Sequence, residues 1–478
     1  MGLRIVILGA GVCGLAAAHR LLQNDPSLDV TILESEDRPG GLARSLTVDG
    51  QVTDLGPHRI FTELPDVQAF LEDLVGDELE TVRRRSKMWL QGGWIEYPPK
   101  PAEIARHLGI GEVARAGLSY LGHKAARMAS TSFRGEESFE SLMKEAFGPE
   151  LYRLLIGPYA RKVWKLPPSE LHADIARIRV SAGGLDQMVR KLLLRQEDKR
   201  PTAVKQFYYI SGGVERLVGK LREGVEARGG RILLGRTARS LIRKDGGSWQ
   251  VNAEGPRGGN AIYTADVVIS TVPVGDLLAM LLPLRPDPRV ERARGELRFI
   301  ENFLVCFVAN RPRVTDAQWL YFPEKDTLFN RGYEPKNFHQ SMGEARSGMI
   351  VLEVTCHPGS KIWRATDRQL VRRCLQGLER TGILRPDEVR STLVHRIRNT
   401  YPLYDLEYRD RLARIWSYLR EFPSIISTGR QGLFLHNNMD HSIHMGFRAA
   451  ERIAERPSSP APAFYNEISR FQSFRIVD

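Results

Sequence analysis

Gly9-Ala-Gly11-Val-Cys-Gly14 stands between an apolar run, Leu3-Arg-Ile-Val-Ile-Leu8, and a helical pattern from Gly14 to Leu22. Glycines at this spacing permit a tight strand-to-helix turn and let backbone amides at a helix N-terminus approach a pyrophosphate. Glu34 closes a second apolar run, Asp29–Leu33. It falls about 20 residues beyond the glycines, where a carboxylate accepts a hydrogen bond from a ribose hydroxyl. A chance glycine turn would not bring that carboxylate with it, so the pair points to a bound dinucleotide.

Arg38-Pro-Gly40-Gly41-Leu-Ala-Arg-Ser45 follows the acidic strand end directly. Two adjacent glycines beside an arginine suit a second close backbone approach to a long cofactor, an extension that NAD does not need. FAD is therefore the expected cofactor, with Gly9, Gly11, Gly14, Glu34, Arg38, Gly40 and Gly41 as its first ligands. Other residues able to do chemistry are scattered along the chain. Arg179 and Arg331 are planar, permanently charged forks suited to diphosphate oxygens. Trp164, Tyr97, Tyr321 and Tyr401 can stack on a base or a sugar face. Each alone is ordinarily a surface ion pair or a core aromatic; their joint order carries the weight.

The fingerprint, the Arg38–Gly41 segment and Asp54-Leu-Gly56-Pro-His58-Arg-Ile-Phe61 together resemble the FAD superfamily of amine oxidases, protoporphyrinogen oxidases and UDP-galactopyranose mutases. In that superfamily the Gly-X-His loop lies close to the isoalloxazine ring, and the resemblance puts Gly56 and His58 there. Four further segments are most similar to the mutases, particularly the longer eukaryotic type. Gly157-Pro-Tyr-Ala160-Arg-Lys-Val-Trp164 looks like the segment bearing a substrate-contacting Asn and Trp; Trp164 matches, and Ala160 stands in the place of the Asn. Arg179 matches the arginine that grips the sugar-nucleotide diphosphate. The stretch Trp319-Leu-Tyr321 through Arg331 is similar to the segment carrying a second diphosphate arginine. Tyr401-Pro402 and Gly429-Arg430 through Asn438-Met439-Asp440-His441-Ser442 look like the closing motif, which implies that Gly429, Arg430, Asn438, Asp440 and Ser442 hold FAD.

The chain also departs from the mutases. In Trp94-Ile-Glu-Tyr97-Pro98-Pro99, Tyr97 fits the uracil-binding segment but Pro99 replaces a Phe, and Phe434 or His436 stands where the family has a diphosphate-binding Tyr. The stretch Phe207-Tyr208-Tyr209-Ile-Ser-Gly212-Gly213 reads more like the protoporphyrinogen oxidase branch. The resemblance, which runs from residue 3 to about 455, thus implies two activities. One is a mutase-like, redox-neutral reaction on a nucleotide-sugar or related phosphorylated glycan precursor, with reduced flavin N5 as nucleophile and Arg179 and Arg331 neutralising the leaving diphosphate. The other is an oxidoreductase that takes a hydride from its substrate, with His58 or Tyr401 orienting the reacting bond. Tyr97, Trp164, Tyr321 and His436 would line the substrate in either case. A non-catalytic FAD scaffold is disfavoured because charged and aromatic groups are both retained.

These residues need an α/β fold to position them: a Rossmann-type FAD-binding domain with an inserted mixed helical and β substrate domain. Residues 1–60, 206–280 and 420–455 are expected to form the FAD domain, 61–205 and 281–419 the substrate-binding region, and 456–478 a tail that either docks or stays loose. The stretch from 61 to 205 reads as mainly helical. Composition is that of an ordinary globular protein, 42% hydrophobic and 26% charged. The net charge of +12 is spread along the chain rather than packed into a tail, which favours anionic ligands such as phosphates without calling for nucleic acid; a small, diphosphate-bearing substrate is what the resemblance implies. Cys13, Cys306, Cys356 and Cys374 show neither a CxxC pair nor histidines at metal-ligand spacing, so no metal is expected and a reducing cytoplasm fits. No apolar run approaches the roughly 18 residues that span a bilayer. Oligomeric state leaves no trace in the sequence.

Overall fold

The computed structural model describes residues 2–98, 101–129, 138–178, 206–281 and 287–476. Arg179 and Pro99 lie outside the described residues.

The N-terminal apolar run forms the central strand of a five-stranded parallel sheet in the order Ile425–Ser427, Val267–Ser270, Arg4–Leu8, Asp29–Leu33 and Arg231–Leu233. Parallel strands covered on both faces must be apolar throughout, which is why Val267–Ser270 and Ile425–Ser427 are wholly buried. The helix Val12–Asn24 follows the first strand and packs against the helix Met439–Glu455. Small residues make the approach close: Ala16, Ala17 and Ala18 are fully buried, and a Cβ added at Gly446 would sit 2.5 Å from the Cys13 carbonyl oxygen. The five strands come from the three stretches assigned to the FAD domain, and an antiparallel three-stranded sheet, Thr237–Arg243, Trp249–Glu254 and Asn260–Ala265, is appended to them.

The second sheet has seven strands in the order Val389–Pro402, Phe299–Ala309, Gly348–Cys356, Arg331–Tyr333, Trp319–Tyr321, Ser86–Leu90 and Gly93–Glu96. Side chains alternate across it. Ile350, Leu352 and Val354 pack with Leu370 and Cys374 of the helix Asp367–Arg380, whereas Met349 and Val351 pack with Leu55 and Phe207 on the side of the FAD domain. The stretch expected to be mainly helical therefore contributes strands as well. Ser86–Leu90 pairs with Trp319–Tyr321, and Leu79–Arg83 pairs with Gln206–Ile210. Their partners lie far away in sequence, so no local periodicity announces them.

The C-terminal tail docks. Phe464, Tyr465 and Phe471 are buried in the main core, and the Tyr465 hydroxyl accepts a 2.9 Å hydrogen bond from the Ser427 amide at the end of the parallel sheet. Among the described residues no helix is long and apolar enough to cross a membrane, and no group of His, Cys, Asp or Glu gathers to hold a metal ion. All four cysteines are free and buried.

His19, on the first helix, is buried beneath Phe70, and its Nδ1 finds no partner among the described residues. Burial, helped by Arg228 and Arg20, pulls it down to about 4. An unfolded His keeps a pKa near 6.5, so the unfolded chain takes up the proton first as pH falls. The stability due to neutral His19 is complete above about pH 6.5 and is lost toward pH 4, at most about 3 kcal/mol. Urea midpoints at pH 7.5 and 4.5 should draw together in His19→Gln relative to the parent; an equal drop in both proteins would show that His19 does not contribute.

Candidate active site

The dinucleotide cleft opens where the first strand turns into the first helix. Gly9 takes φ +99°, which only glycine adopts at low cost. Gly14 sits so close beneath the turn that a Cβ there would lie 2.1 Å from the Gly9 carbonyl oxygen. Gly11 is different: nothing in the protein comes within 4 Å of its Cβ position, so its open side faces the cleft. The Arg38–Gly41 loop lies directly against this turn. The Gly40 amide donates to the Ala10 carbonyl at 2.8 Å, and Gly40 and Gly41 have φ of +116° and +59°.

Glu34 is buried at the end of its strand, with Oε2 accepting from the Ala10 amide at 2.8 Å and Oε1 from the Glu36 amide at 3.0 Å. The carboxylate thus ties the acidic strand end to the glycine turn. Glu34→Ala is expected to weaken FAD retention by roughly 1–3 kcal/mol, because the ribose loses an ionised acceptor and the turn loses its tether. Flavin fluorescence released on dilution measures this; parent-like retention would remove Glu34 from the cofactor site.

Arg38 and Arg44 divide their roles in a way the sequence did not announce. Arg38 is partly exposed and faces Glu215 at 3.5 Å. Arg44, passed over among the expected ligands although it stands in the same glycine-rich segment, has a buried Nε without a partner among the described residues and only a 3.8 Å contact to Glu36. Arg44 is the better placed of the two to meet a pyrophosphate.

At the other end, the turn at Gly429, with φ +80°, presses on Cys13 of the first helix. The Arg430 guanidinium donates to the carbonyls of Asn437 at 2.8 Å and Thr400 at 2.7 Å, and lies 5.2 Å from the Tyr401 ring centre. It clamps the segment from 430 to 437 against the seven-stranded sheet. Asn438 and Asp440 begin the helix Met439–Glu455, whose N-terminal amides carry partial positive charge. Asp440 is raised by burial, and its Oδ1, like Nδ2 of Asn437, is buried without a partner among the described residues. Ser442 reaches Asn437 at 3.5 Å. Gly56, φ +100°, also has nothing within 4 Å of its Cβ position. Open glycine faces at Gly11 and Gly56, with orphaned buried atoms on Arg44, His58, Asn437 and Asp440, fit a cofactor that runs from the glycine turn to the helix start at 439.

The expected substrate residues form two neighbouring groups. In the first, Trp164 meets His436 edge-on at 5.1 Å and Tyr401 at 6.0 Å, and Tyr401 stacks on His436 at 5.9 Å. His436 is fixed by a 2.7 Å contact to the Pro402 carbonyl and by its amide donating to the Tyr404 hydroxyl. In the second, Tyr321 packs on Tyr97 at 4.7 Å and on Tyr159 at 5.9 Å. Arg331 joins them. It pairs across the strands with Tyr321, and the Tyr159 and Tyr401 hydroxyls both act on its charge. The Arg331 fork binds Glu353 through Nε and Nη2, each at 2.8 Å, and Nη2 also reaches the Tyr401 hydroxyl at 3.4 Å. Glu353 is 1% exposed and holds the guanidinium permanently charged despite burial. It was not anticipated, although a lone carboxylate inside the apolar strand Gly348–Cys356 is a legible signal.

His58 lies within electrostatic reach of Arg331 and Arg430. Burial pulls it down to about 4, and the charges of Arg430 and Arg331 add to the effect. It is a neutral imidazole at working pH, able to orient a polar group but not to serve as a resident cation. His58, Arg331, Tyr401, Trp164 and His436 therefore belong to one region, with Tyr97 and Tyr321 beside it; the convergence expected of Arg179 falls outside the described residues.

The family model for flavin-containing amine oxidoreductases matches residues 12–456. Among curated proteins the chain is 28% identical over 246 residues to coproporphyrinogen III oxidase of Staphylococcus aureus, a match over 47% of this chain and 52% of that one. Matches to the first curated relatives cover 34% to 62% of their length. Among solved structures, reduced UDP-galactopyranose mutase superposes with a TM-score of 0.81 at 23% identity, covering 100% of this chain and 99% of that one. A protoporphyrinogen oxidase homologue from Exiguobacterium gives 0.73 at 20% identity, covering 95% and 99%. Likeness at these identities concerns the fold, and the family match carries the assignment: this chain belongs to the flavin-containing amine oxidoreductases and is an FAD-dependent enzyme.

Proposed function

We propose that the enzyme acts on an anionic, diphosphate-bearing substrate of the nucleotide-sugar class, in a mutase-like reaction that depends on reduced flavin. The observation that supports this is the Arg331–Glu353 fork set among Tyr401, Trp164 and His436. Bound FAD supplies either a nucleophilic N5 when reduced or a hydride acceptor when oxidised. Arg331, aimed by Glu353 through Nε and Nη2, has no hydrogen-bond partner on Nη1 among the described residues and keeps that edge for a substrate oxygen. Such a preorganised fork stabilises charge that develops on a leaving diphosphate, and the Tyr401 hydroxyl adds a second donor. Trp164 and Tyr401 offer ring faces to a sugar, and Tyr97 and Tyr321 to a base. Neutral His58 orients without adding charge.

The second reading, hydride removal from a substrate C–H bond, is favoured by two features. Ala160, and Phe434 or His436, stand in the places of mutase residues, and the curated relatives include coproporphyrinogen and protoporphyrinogen oxidases. Redox-state titration separates the readings. UDP and a panel of UDP- and dTDP-sugars are expected to bind the dithionite-reduced enzyme more tightly than the oxidised one, and by linkage to raise the flavin potential by the same free energy. Anaerobic bleaching of the oxidised enzyme by a substrate, with a stoichiometric oxidised product, would establish dehydrogenation instead.

A further inference from the structure

A second concave region lies beyond the helix that carries Trp164. Along Gly348–Cys356, Glu353 reaches Arg331 on one face, while Leu352 and Val354 pack with Leu370 and Cys374 on the other. A cavity of about 310 Å³ opens between the helix Asp367–Arg380, which packs on that other face, the end of the helix Gly157–Trp164 and the loop following Phe322. Its lining brings together Lys162, Lys165, Lys325, Arg373 and Arg380, with Asp326 as the one carboxylate.

Lys162 and Lys165 are half-buried at the base of the cavity, and Lys325, Arg373 and Arg380 stand exposed around its mouth. The Lys162 ammonium donates to the carbonyls of Phe322 at 2.8 Å and Glu324 at 2.5 Å, and to the Thr327 hydroxyl at 2.7 Å. Arg380 is tied to the Asp326 carbonyl at 2.6 Å. Lys165 caps its helix in the left-handed conformation, φ +57°, and is fixed from behind by His357 on its carbonyl at 3.0 Å. Lys165, Lys325 and Arg373 form no ion pair among the described residues. Five cations gathered with one carboxylate around a cleft repel one another, and an anion seated between them removes that cost.

We propose that this cavity is a binding site for a compact phosphate-bearing anion, separate from the candidate active site. The volume lies at the small end of ligand pockets, roughly 300–1,000 Å³, which suits a phosphate or diphosphate group rather than a chain of residues or a nucleic acid strand. Its basic groups surround a hollow instead of tracking along a face, the opposite of a polynucleotide groove. Occupancy reaches the active site through one helical turn, because Lys162 and Lys165 flank Trp164.

Burial leaves a second signature. It pulls Lys165 down to about 8 and Lys162 to about 7; Lys162 also faces Lys165, Asp326 and Glu324, and Lys165 also faces Cys356. Without a ligand Lys165 is partly deprotonated near pH 8, while three acceptors oppose the effect of burial on the Lys162 ammonium. An anion favours the ammonium form and raises both groups, so binding takes up protons.

The test uses FAD-saturated enzyme, which keeps the dinucleotide cleft filled, titrated calorimetrically with inorganic phosphate, inorganic pyrophosphate and ADP, with chloride at matched ionic strength. Saturable binding of pyrophosphate is expected, with proton uptake at pH 8 read from buffers of different ionisation enthalpy. If ADP binds as tightly, the natural occupant is an organic diphosphate; if only the inorganic anions bind, it is a free one. Lys165→Met and Arg373→Glu should each weaken pyrophosphate at least roughly tenfold, and Arg331→Met should leave it unchanged. Arg373 is exposed, so its variant folds whatever becomes of Lys165→Met. Equal binding in parent and Arg373→Glu, the same loss in Arg331→Met, or no saturation by any of the three anions would overturn the proposal. None of these outcomes bears on whether the flavin chemistry is mutase-like.

Discussion

Glu353→Ala is expected to lower stability by about 3–5 kcal/mol, the usual cost of stranding one partner of a buried ion pair. The carboxylate is almost fully enclosed, and both of its oxygens bind the Arg331 fork at 2.8 Å. Removing it leaves a guanidinium that cannot shed its proton at any working pH. The strand itself would tolerate alanine, since its neighbours Leu352 and Val354 pack on the opposite face. The loss is therefore electrostatic, and a double replacement should recover it in part: Arg331→Met combined with Glu353→Leu is expected to be more stable than Glu353→Ala alone. Urea midpoints of the three proteins provide the comparison. A loss below about 1 kcal/mol in Glu353→Ala would mean that water reaches the pair and screens it.

Gly14→Ala is expected to yield a colourless protein. Helix propensity argues the other way, because alanine is preferred to glycine by about 1 kcal/mol within a helix. Sterics decide against it: the new Cβ would lie 2.1 Å from the Gly9 carbonyl oxygen and 3.3 Å from Ile7 Cγ2. The first obstacle is backbone, so the turn must move, with an expected stability cost of about 1–3 kcal/mol. Gly11→Ala isolates the cofactor's share of the effect. Its Cβ meets no protein atom within 4 Å. That variant should fold with parental stability and still lose FAD, because the methyl group takes cleft space. Stoichiometric flavin absorbance in purified Gly14→Ala would refute the assigned role of the turn.

Local chemistry was legible from the residues themselves. The strand, glycine turn, helix and terminal glutamate of the cofactor site span the first 34 residues, and each is specified by its near neighbours: apolar runs for buried parallel strands, glycines where φ is positive or a Cβ would collide. The helix Asp367–Arg380 and the strand Phe299–Ala309 rest on the same kind of local pattern, since amphipathic spacing and apolar continuity are short-range properties. What tertiary structure decided is everything that depends on pairing between distant segments. Ser86–Leu90 and Gly93–Glu96 are too short to declare themselves and become strands by extending a sheet whose other members begin at Phe299. The residues of the tail from 456 leave docking and looseness equally open, and it is the core prepared by the end of the parallel sheet that takes in Phe464, Tyr465 and Phe471. Partner choice among charges is equally non-local: Arg38 turns to Glu215, Arg44 is left facing inward, and Arg331 is aimed by Glu353. A sequence states which groups carry charge; only the folded chain determines which are neutralised by a neighbour and which are left for a ligand, because Coulomb interaction and desolvation both depend on distance and burial.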